Sequence, residues 1–182
     1  MTADQHDPGG KVRLALMPGV KGDAAFSADG RYRQLMRRWL GEAFPERYML
    51  FIGMNPSTAD ALVNDPTCAR EWTFTQREGF DAMVKANVGD YRATDPKMLL
   101  APGVEAVSSE NLPTIRAQAA KAGKVVVCHG KLNKALAPAG KALIDALRAD
   151  GVELWCFGQN GDGSPKHPLY LRGDTPLIRY EA

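Results

Sequence analysis

Runs of apolar residues alternate along this chain with stretches of helical periodicity. Tyr48 to Gly53 is a continuous apolar run that ends at glycine, the pattern of a strand buried on both faces. Ala82 to Val88, Lys124 to His129 and Val152 to Phe157 form three further strand candidates. Between them lie helical segments. Pro66 to Gly79 has Asp65 placed to cap it, proline at its first position and glycine as its stop. Asn111 to Ala122 precedes Gly123, and Leu132 to Ala149 precedes Gly151, with Pro138 as a potential interruption. Near the start, Val12 to Leu16 reads as a strand and Met17 to Asp29 mainly as loop. Over Arg31 to Leu40 the residues Tyr32, Leu35, Met36, Trp39 and Leu40 recur at helical spacing, which predicts a helix. The preceding Asp29-Gly30 turn would also suit a hairpin. The tail from Gly158 reads as loop, with a short edge strand near Leu177 to Tyr180.

Strands alternating with helices predict an α/β fold with right-handed crossovers and a largely parallel sheet. Residues 1–29 read as an N-terminal arm and loop with one strand, the first ten residues as a loose arm, and residues 30–182 as a single α/β domain. The length of 182 residues agrees with one domain at ~150 residues each. In sheets of this kind ligands sit beyond the carboxyl ends of the strands, so the segments following each strand carry the candidate chemistry.

Composition narrows the classes. Apolar residues make up 45% and charged residues 24%, an ordinary globular balance. The 23 Lys and Arg against 21 Asp and Glu give a formal net charge of +2, too small to mark a nucleic-acid binder by charge alone. No apolar run approaches the ~20 residues of a membrane helix. The start is polar and acidic, unlike a signal peptide. Cys68, Cys128 and Cys156 form neither a disulfide framework nor a zinc spacing. The expectation is a soluble, reduced, cytoplasmic protein with no membrane contact.

After the first central strand comes Gly53-Met54-Asn55-Pro56-Ser57-Thr58-Ala59-Asp60. Gly53 permits close backbone approach, and Pro56 stiffens the turn and biases Asn55 toward extended geometry. An amide so fixed positions a water or a ligand without acting as a base; equally, Asn-Pro reads as a plain strand terminator. Asp65 caps a helix, or with Asp60 orients a ligand or a water. Mg²⁺ at such a pair depends on substrate phosphates, and neither a metal site nor a cofactor is assigned. After the second strand, Asn87 precedes Tyr91 and Arg92. Arg92 suits a phosphate or a bridge to Asp90 or Asp95, and Tyr91 suits stacking or packing. His129 and Gly130 follow the third strand. The long loop after the fourth carries Lys166, His167 and Pro168, and is suited to presenting a side chain into a cleft. Arg31, Arg33, Arg37 and Arg38 form the main basic cluster, a solvated face or a phosphate contact.

Taken together, Tyr32-Arg33 with Trp39, the Gly53 to Asp60 run, Asp65-Pro66-Thr67 with Arg70, Asn87 with Tyr91 to Pro96, and Gly163 to Leu171 resemble the DUF1643 family over about Phe26 to Tyr170. The order of Gly53-Met54-Asn55-Pro56, Asn87 and His167-Pro168 also resembles, remotely, the uracil-DNA glycosylase superfamily. Where characterised glycosylases continue as His-Pro-Ser, this chain has His167-Pro168-Leu169. The superfamily resemblance implies a three-layer α/β/α sandwich with a central, mainly parallel four-stranded sheet. It implies a nucleobase-recognising protein that hydrolyses an N-glycosidic bond of a base in DNA or RNA. Asn55 would position water near the anomeric carbon and His167 would donate to a base oxygen. Asn87 would read the base edge, and Tyr91 or Phe74 would stack on it. Gly53, Pro56, Ser57, Asp60 and Asp65 would build the substrate site, and Arg33, Arg37, Arg92 and Lys166 would hold phosphates. An enzyme on free nucleosides or nucleotides, and a non-catalytic nucleic-acid or nucleotide binding module, remain open beside it.

Overall fold

A computed structural model describes residues 12–181; the arm expected over residues 1–10 lies outside them. In chain order the elements are β1 (Leu14–Ala15), β2 (Lys21–Phe26), β3 (Arg33–Trp39), β4 (Met49–Gly53), β5 (Val63–Asn64), α1 (Pro66–Arg77), β6 (Ala82–Asn87), α2 (Asn111–Ala119), β7 (Lys124–Val127), α3 (Ala137–Ala149), β8 (Leu154–Cys156) and β9 (Ile178–Arg179). Short 3-10 turns cover Pro96–Leu100 and Pro168–Tyr170. No helix among the described residues is long and apolar enough to cross a membrane.

The main sheet is mixed and has seven strands in the order β2-β3-β6-β4-β7-β8-β9, so the expected count of four is corrected. Its centre, β6-β4-β7-β8, is parallel. The antiparallel pair β2-β3 extends one edge and β9 the other. β1 pairs with β5 in a separate two-stranded ribbon.

The largest departure is at β3, where the spacing predicts a helix. Gly30, at φ 71°, closes a turn in which its N–H donates to the Ser27 carbonyl at 2.9 Å. That turn makes β2 and β3 a hairpin, so part of the segment read as loop is a sheet strand. The helical spacing arises because both faces of β3 are covered. Met36 enters one core while Leu35 and Trp39 pack against the other. Period-2 alternation vanishes when both faces are apolar.

β4 is buried throughout. One face of the sheet, including Leu50, Ile52, Val84, Val125 and Val127, packs on Ile115 of α2 and Leu143 and Leu147 of α3. The opposite face, including Met49, Phe51, Met83 and Val126, packs on Cys68, Trp72 and Phe74 of α1. α3 begins five residues later than its pattern predicts, with Pro138 in its first turn. Proline lacks the N–H that a preceding turn would use, so it sets the start rather than breaking the middle. At α1 the Asp65 carboxylate accepts from the Cys68 N–H at 2.7 Å, the expected cap.

Candidate functional site

At the carboxyl ends of β4 and β6 lies a cavity of about 260 Å³. Its walls include Arg33, Asn55, Asp65, Lys85, Asn87 and His167, with Tyr170 at its edge. Asn55, Asn87 and His167, which lie far apart in the chain, therefore share one enclosure.

The register explains this convergence. In β6 the side chains of Met83, Lys85 and Asn87 alternate onto one face, and Gly53 of β4 stands beside Asn87. A Cβ at Gly53 would lie 2.7 Å from Lys85 Nζ and 2.9 Å from Asn87 Oδ1. Glycine suits this position because those two polar groups occupy the space of a side chain.

Asn87 is 1% exposed, yet neither its Oδ1 nor its Nδ2 has a hydrogen-bond partner among the described residues. Leaving a buried polar group unpaired costs about 1–3 kcal/mol. Its backbone is fixed instead, with the Asn87 carbonyl accepting from Asn111 Nδ2 at 3.1 Å. Asn55 Nδ2 donates to the carbonyls of Ala93 at 2.7 Å and Pro56 at 3.0 Å. Two carbonyl partners settle which end of the amide is nitrogen, and leave Oδ1 as its acceptor end.

His167 precedes the 3-10 turn, and its Nδ1 accepts from the Leu169 N–H at 3.4 Å. The neutral ring therefore carries its proton on Nε2. Burial, and next the positive charge of Lys85, pull its pKa down from 6.5 to about 4. At neutral pH it is a donor without charge.

Lys85 and Glu71 form a buried ion pair beneath the cavity, with side-chain exposures of 5% and 0%. Burial alone would lower the Lys85 pKa; the charge of Glu71 outweighs it and holds the ammonium well above the ordinary lysine value. Cys128 Sγ also approaches Glu71 Oε1, at 3.6 Å. Sequence reasoning missed this pair. The available signals were a lone lysine inside an apolar strand run, and a glutamate on the helical stripe Cys68, Glu71, Trp72 and Thr75.

The remaining expected site residues divide. Ser57, Asp65 and Arg33 line the cavity. Arg33 is buried, however, with Nη1 donating to the Ala59 carbonyl at 2.5 Å, so it braces the turn after β4. Gly53 and Pro56 shape that turn. Asp60 is turned away: its Oδ1 accepts from the Leu62 and Val63 N–H groups and its Oδ2 pairs with Arg13 at 3.1 Å. Arg37, expected on phosphate, is committed to Asp23 and lies over the Phe44 ring. Phe74, expected to stack on a base, is fully buried against Phe157 with centroids 4.2 Å apart. Tyr91 packs edge-on against Tyr32 in a groove that adjoins the cavity through Ser57, Ala93 and Thr94. Arg92 lies in the same groove, over the Phe26 ring and donating to the Gly30 carbonyl at 3.1 Å. Lys166 is exposed beside Gly158 and does not line the cavity. The aromatic ring at the cavity is Tyr170, 79% exposed and 6.1 Å from the His167 ring between centroids.

A family model described as "Protein of unknown function (DUF1643)" matches residues 31–169, most of the chain. The chain belongs to this family. The matched span includes every element that lines the cavity except Tyr170, which lies one residue beyond it. No curated protein and no solved structure matches the chain.

Proposed function

We propose that this member of the DUF1643 family recognises a nucleobase in the cavity and hydrolyses its N-glycosidic bond. One observation carries the reading. The Asn87 amide is buried and presents both a donor and an acceptor with no partner among the described residues, beside a neutral histidine donor. A heterocycle edge with a neighbouring acceptor and donor would satisfy both at once. The volume of about 260 Å³ falls below the ~300–1,000 Å³ of drug-sized ligand sites, which suits a base held inside with its sugar at the mouth. The motif order shared with the uracil-DNA glycosylase superfamily, and the parallel strands at the sheet centre, support the same reading by analogy.

In this mechanism the bond between the anomeric carbon and the base nitrogen breaks, and its electron pair leaves with the base. His167 Nε2–H donates to an oxygen of the departing base, where negative charge gathers. Asn55 Oδ1 accepts from a water whose oxygen bonds to the anomeric carbon, and the proton released passes to the base or to solvent. Since an amide does not act as a strong base, Asn55 works by positioning, and the bond must be largely broken before water adds.

The test is a panel of modified single-stranded and duplex oligonucleotides, nucleosides and nucleotides, with released base detected by mass spectrometry. Release is expected from at least one member, and Asn55→Ala should lower it about 100-fold, the order of loss when a reactant is misplaced by about 1 Å. Binding without release would identify a recognition module. Unchanged release in both Asn55→Ala and His167→Ala would remove those residues from the mechanism. A steep loss of affinity with salt would mark a polymer substrate, and a shallow one a free nucleotide.

A further inference from the structure

We propose that the cleft between α2 and α3 is a second binding site, for a small apolar molecule that carries one hydroxyl or N–H donor, the chemistry of a phenol. It shares no wall residue with the cavity at β4 and β6, and it does not depend on the nucleobase reading. The two sites lie on opposite faces of the sheet. Lys85 and Asn87 alternate with Met83 onto the α1 side, whereas Val84, Ala86 and Val88 belong to the core under α2 and α3.

The cleft follows from the sequence of the two helices. Leu112 and Ile115 share a face of α2, and Ala139, Ala142 and Leu143 share a face of α3. Alanine at two of these positions leaves room that a longer side chain would fill. The space measures about 140 Å³, with Val88 and Val107 among its other walls. An apolar cavity of ~150 Å³ is large enough to hold a benzene ring.

Among the described residues that line this space, Asn111 is the one with a polar side chain, and it is 2% exposed. Its Nδ2 donates to the carbonyls of Asn87 at 3.1 Å and Val88 at 2.9 Å. Turning the amide over would set its oxygen against both carbonyls, so these two bonds fix its orientation. Oδ1 is buried and has no partner among the described residues. It is the acceptor left over at an otherwise apolar wall. Water is a poor occupant, because a buried water makes about three hydrogen bonds and the lining side chains offer it one unspent atom. A charged ligand would go unpaired, since no described wall residue is ionisable. A ring with a single donor covers the apolar walls and satisfies Oδ1 together.

The experiment titrates phenol into the isotopically labelled full chain, with toluene as a counterpart of the same size that lacks the donor, and follows both by NMR. Phenol is expected to saturate with a dissociation constant on the order of 1 mM or tighter. It should shift the methyl signals of Val107, Leu112, Ile115 and Leu143 and the side-chain carbonyl carbon of Asn111. Toluene should shift the methyls and move that carbon far less. Ala139→Leu and, at an exposed position, Ala142→Leu each fill the space. Thermal unfolding identifies which of them is folded, and a folded variant should bind phenol at least about 10-fold more weakly. A phenol titration that does not saturate, shifts centred away from the cleft, or unchanged affinity in a folded leucine variant overturns the site. Equal movement of the Asn111 carbon by phenol and toluene overturns Oδ1 as the recognising atom, and with it the single-donor class of ligand.

Discussion

Two of the concavities at the carboxyl ends of the parallel strands differ in a way that volume does not reveal. The larger, about 560 Å³, lies between α3 and the loop after β8, and His129, Leu132, Ile144 and Tyr180 are among its walls. Its charged groups satisfy one another or the backbone. Lys141 pairs with Asp145 at 2.6 Å, Lys131 with Asp162 at 3.4 Å, and Arg148 donates to the Tyr180 carbonyl at 3.1 Å. His129 donates from Nδ1 to the Gly130 carbonyl at 2.7 Å. The cavity at β4 and β6 is half that size, yet it holds the unpaired Asn87 amide. A protein retains unpaired polar atoms in its interior at a cost in stability, so where they occur they indicate a missing partner better than empty space does.

The comparison breaks most sharply at Asn87. Asn87→Leu keeps the shape and removes both polar atoms. Ligand affinity or base release should fall at least about 100-fold, as expected when two buried hydrogen bonds are lost. Urea unfolding should show stability unchanged or raised by about 1–2 kcal/mol, since two unpaired groups are no longer buried. Loss of both function and stability would mean that Asn87 is a packing residue.

Gly53→Ala should cost less. The added carbon would lie 2.7 Å from Lys85 Nζ and 2.9 Å from Asn87 Oδ1, so the ends of these side chains must shift out of the way. Base release is expected to drop about 10-fold, the cost of a small misplacement of polar groups. Circular dichroism should stay unchanged.

His167 sharpens the contrast through pH. The unfolded chain protonates this ring near 6.5 and the folded chain only near 4. Between those values the unfolded state binds more protons. The contribution to stability is therefore complete above about pH 6.5 and is lost as pH falls through the window to about 4. Its size is on the order of 2–3 kcal/mol, reduced from the full linkage value by residual solvent contact. Denaturant titrations at pH 7 and 4.5 should converge for His167→Gln more than for the wild type.

The smallest effects belong to residues outside the cavity. Arg37→Ala breaks a half-exposed pair with Asp23 and a ring contact with Phe44, and Lys141→Ala an exposed pair in the larger cleft. Each should change stability by less than about 1 kcal/mol and base release by less than 2-fold. A large loss of release with Lys141→Ala would move the functional site to the larger cleft.

The elements with a clear local pattern were legible. β4, α1, β6, β7 and β8 follow from apolar runs, the Asp65 cap and the glycine stops. β3 was misread because a strand covered on both faces loses its alternation, and apolar spacing then imitates a helix. Within the site, Asn55, Asn87 and His167 could be named from strand ends and a proline-stiffened loop. Arg37 and Phe74 could not be excluded in that way, since the same residue types serve ion pairs and cores. Lys85 was passed over because a lysine in a buried strand has no local signature of its purpose.

What the sequence determined by itself was local: where strands end, where helices are capped, and which polar residues stand just past a strand. The tertiary structure alone decided which of those polar residues face one another. That outcome depends on strand register and on the missing side chain at Gly53, which brings Lys85 and Asn87 to the same flank of β4. Pairing also settled which charges were spent. Asp23 occupies Arg37 and Arg13 occupies Asp60, while Asn87 stays unmatched because no described residue reaches its amide. Hydrogen bonding is short-ranged, and a one-dimensional pattern carries no distances between segments, so satisfaction of a buried group appears only once the chain is folded.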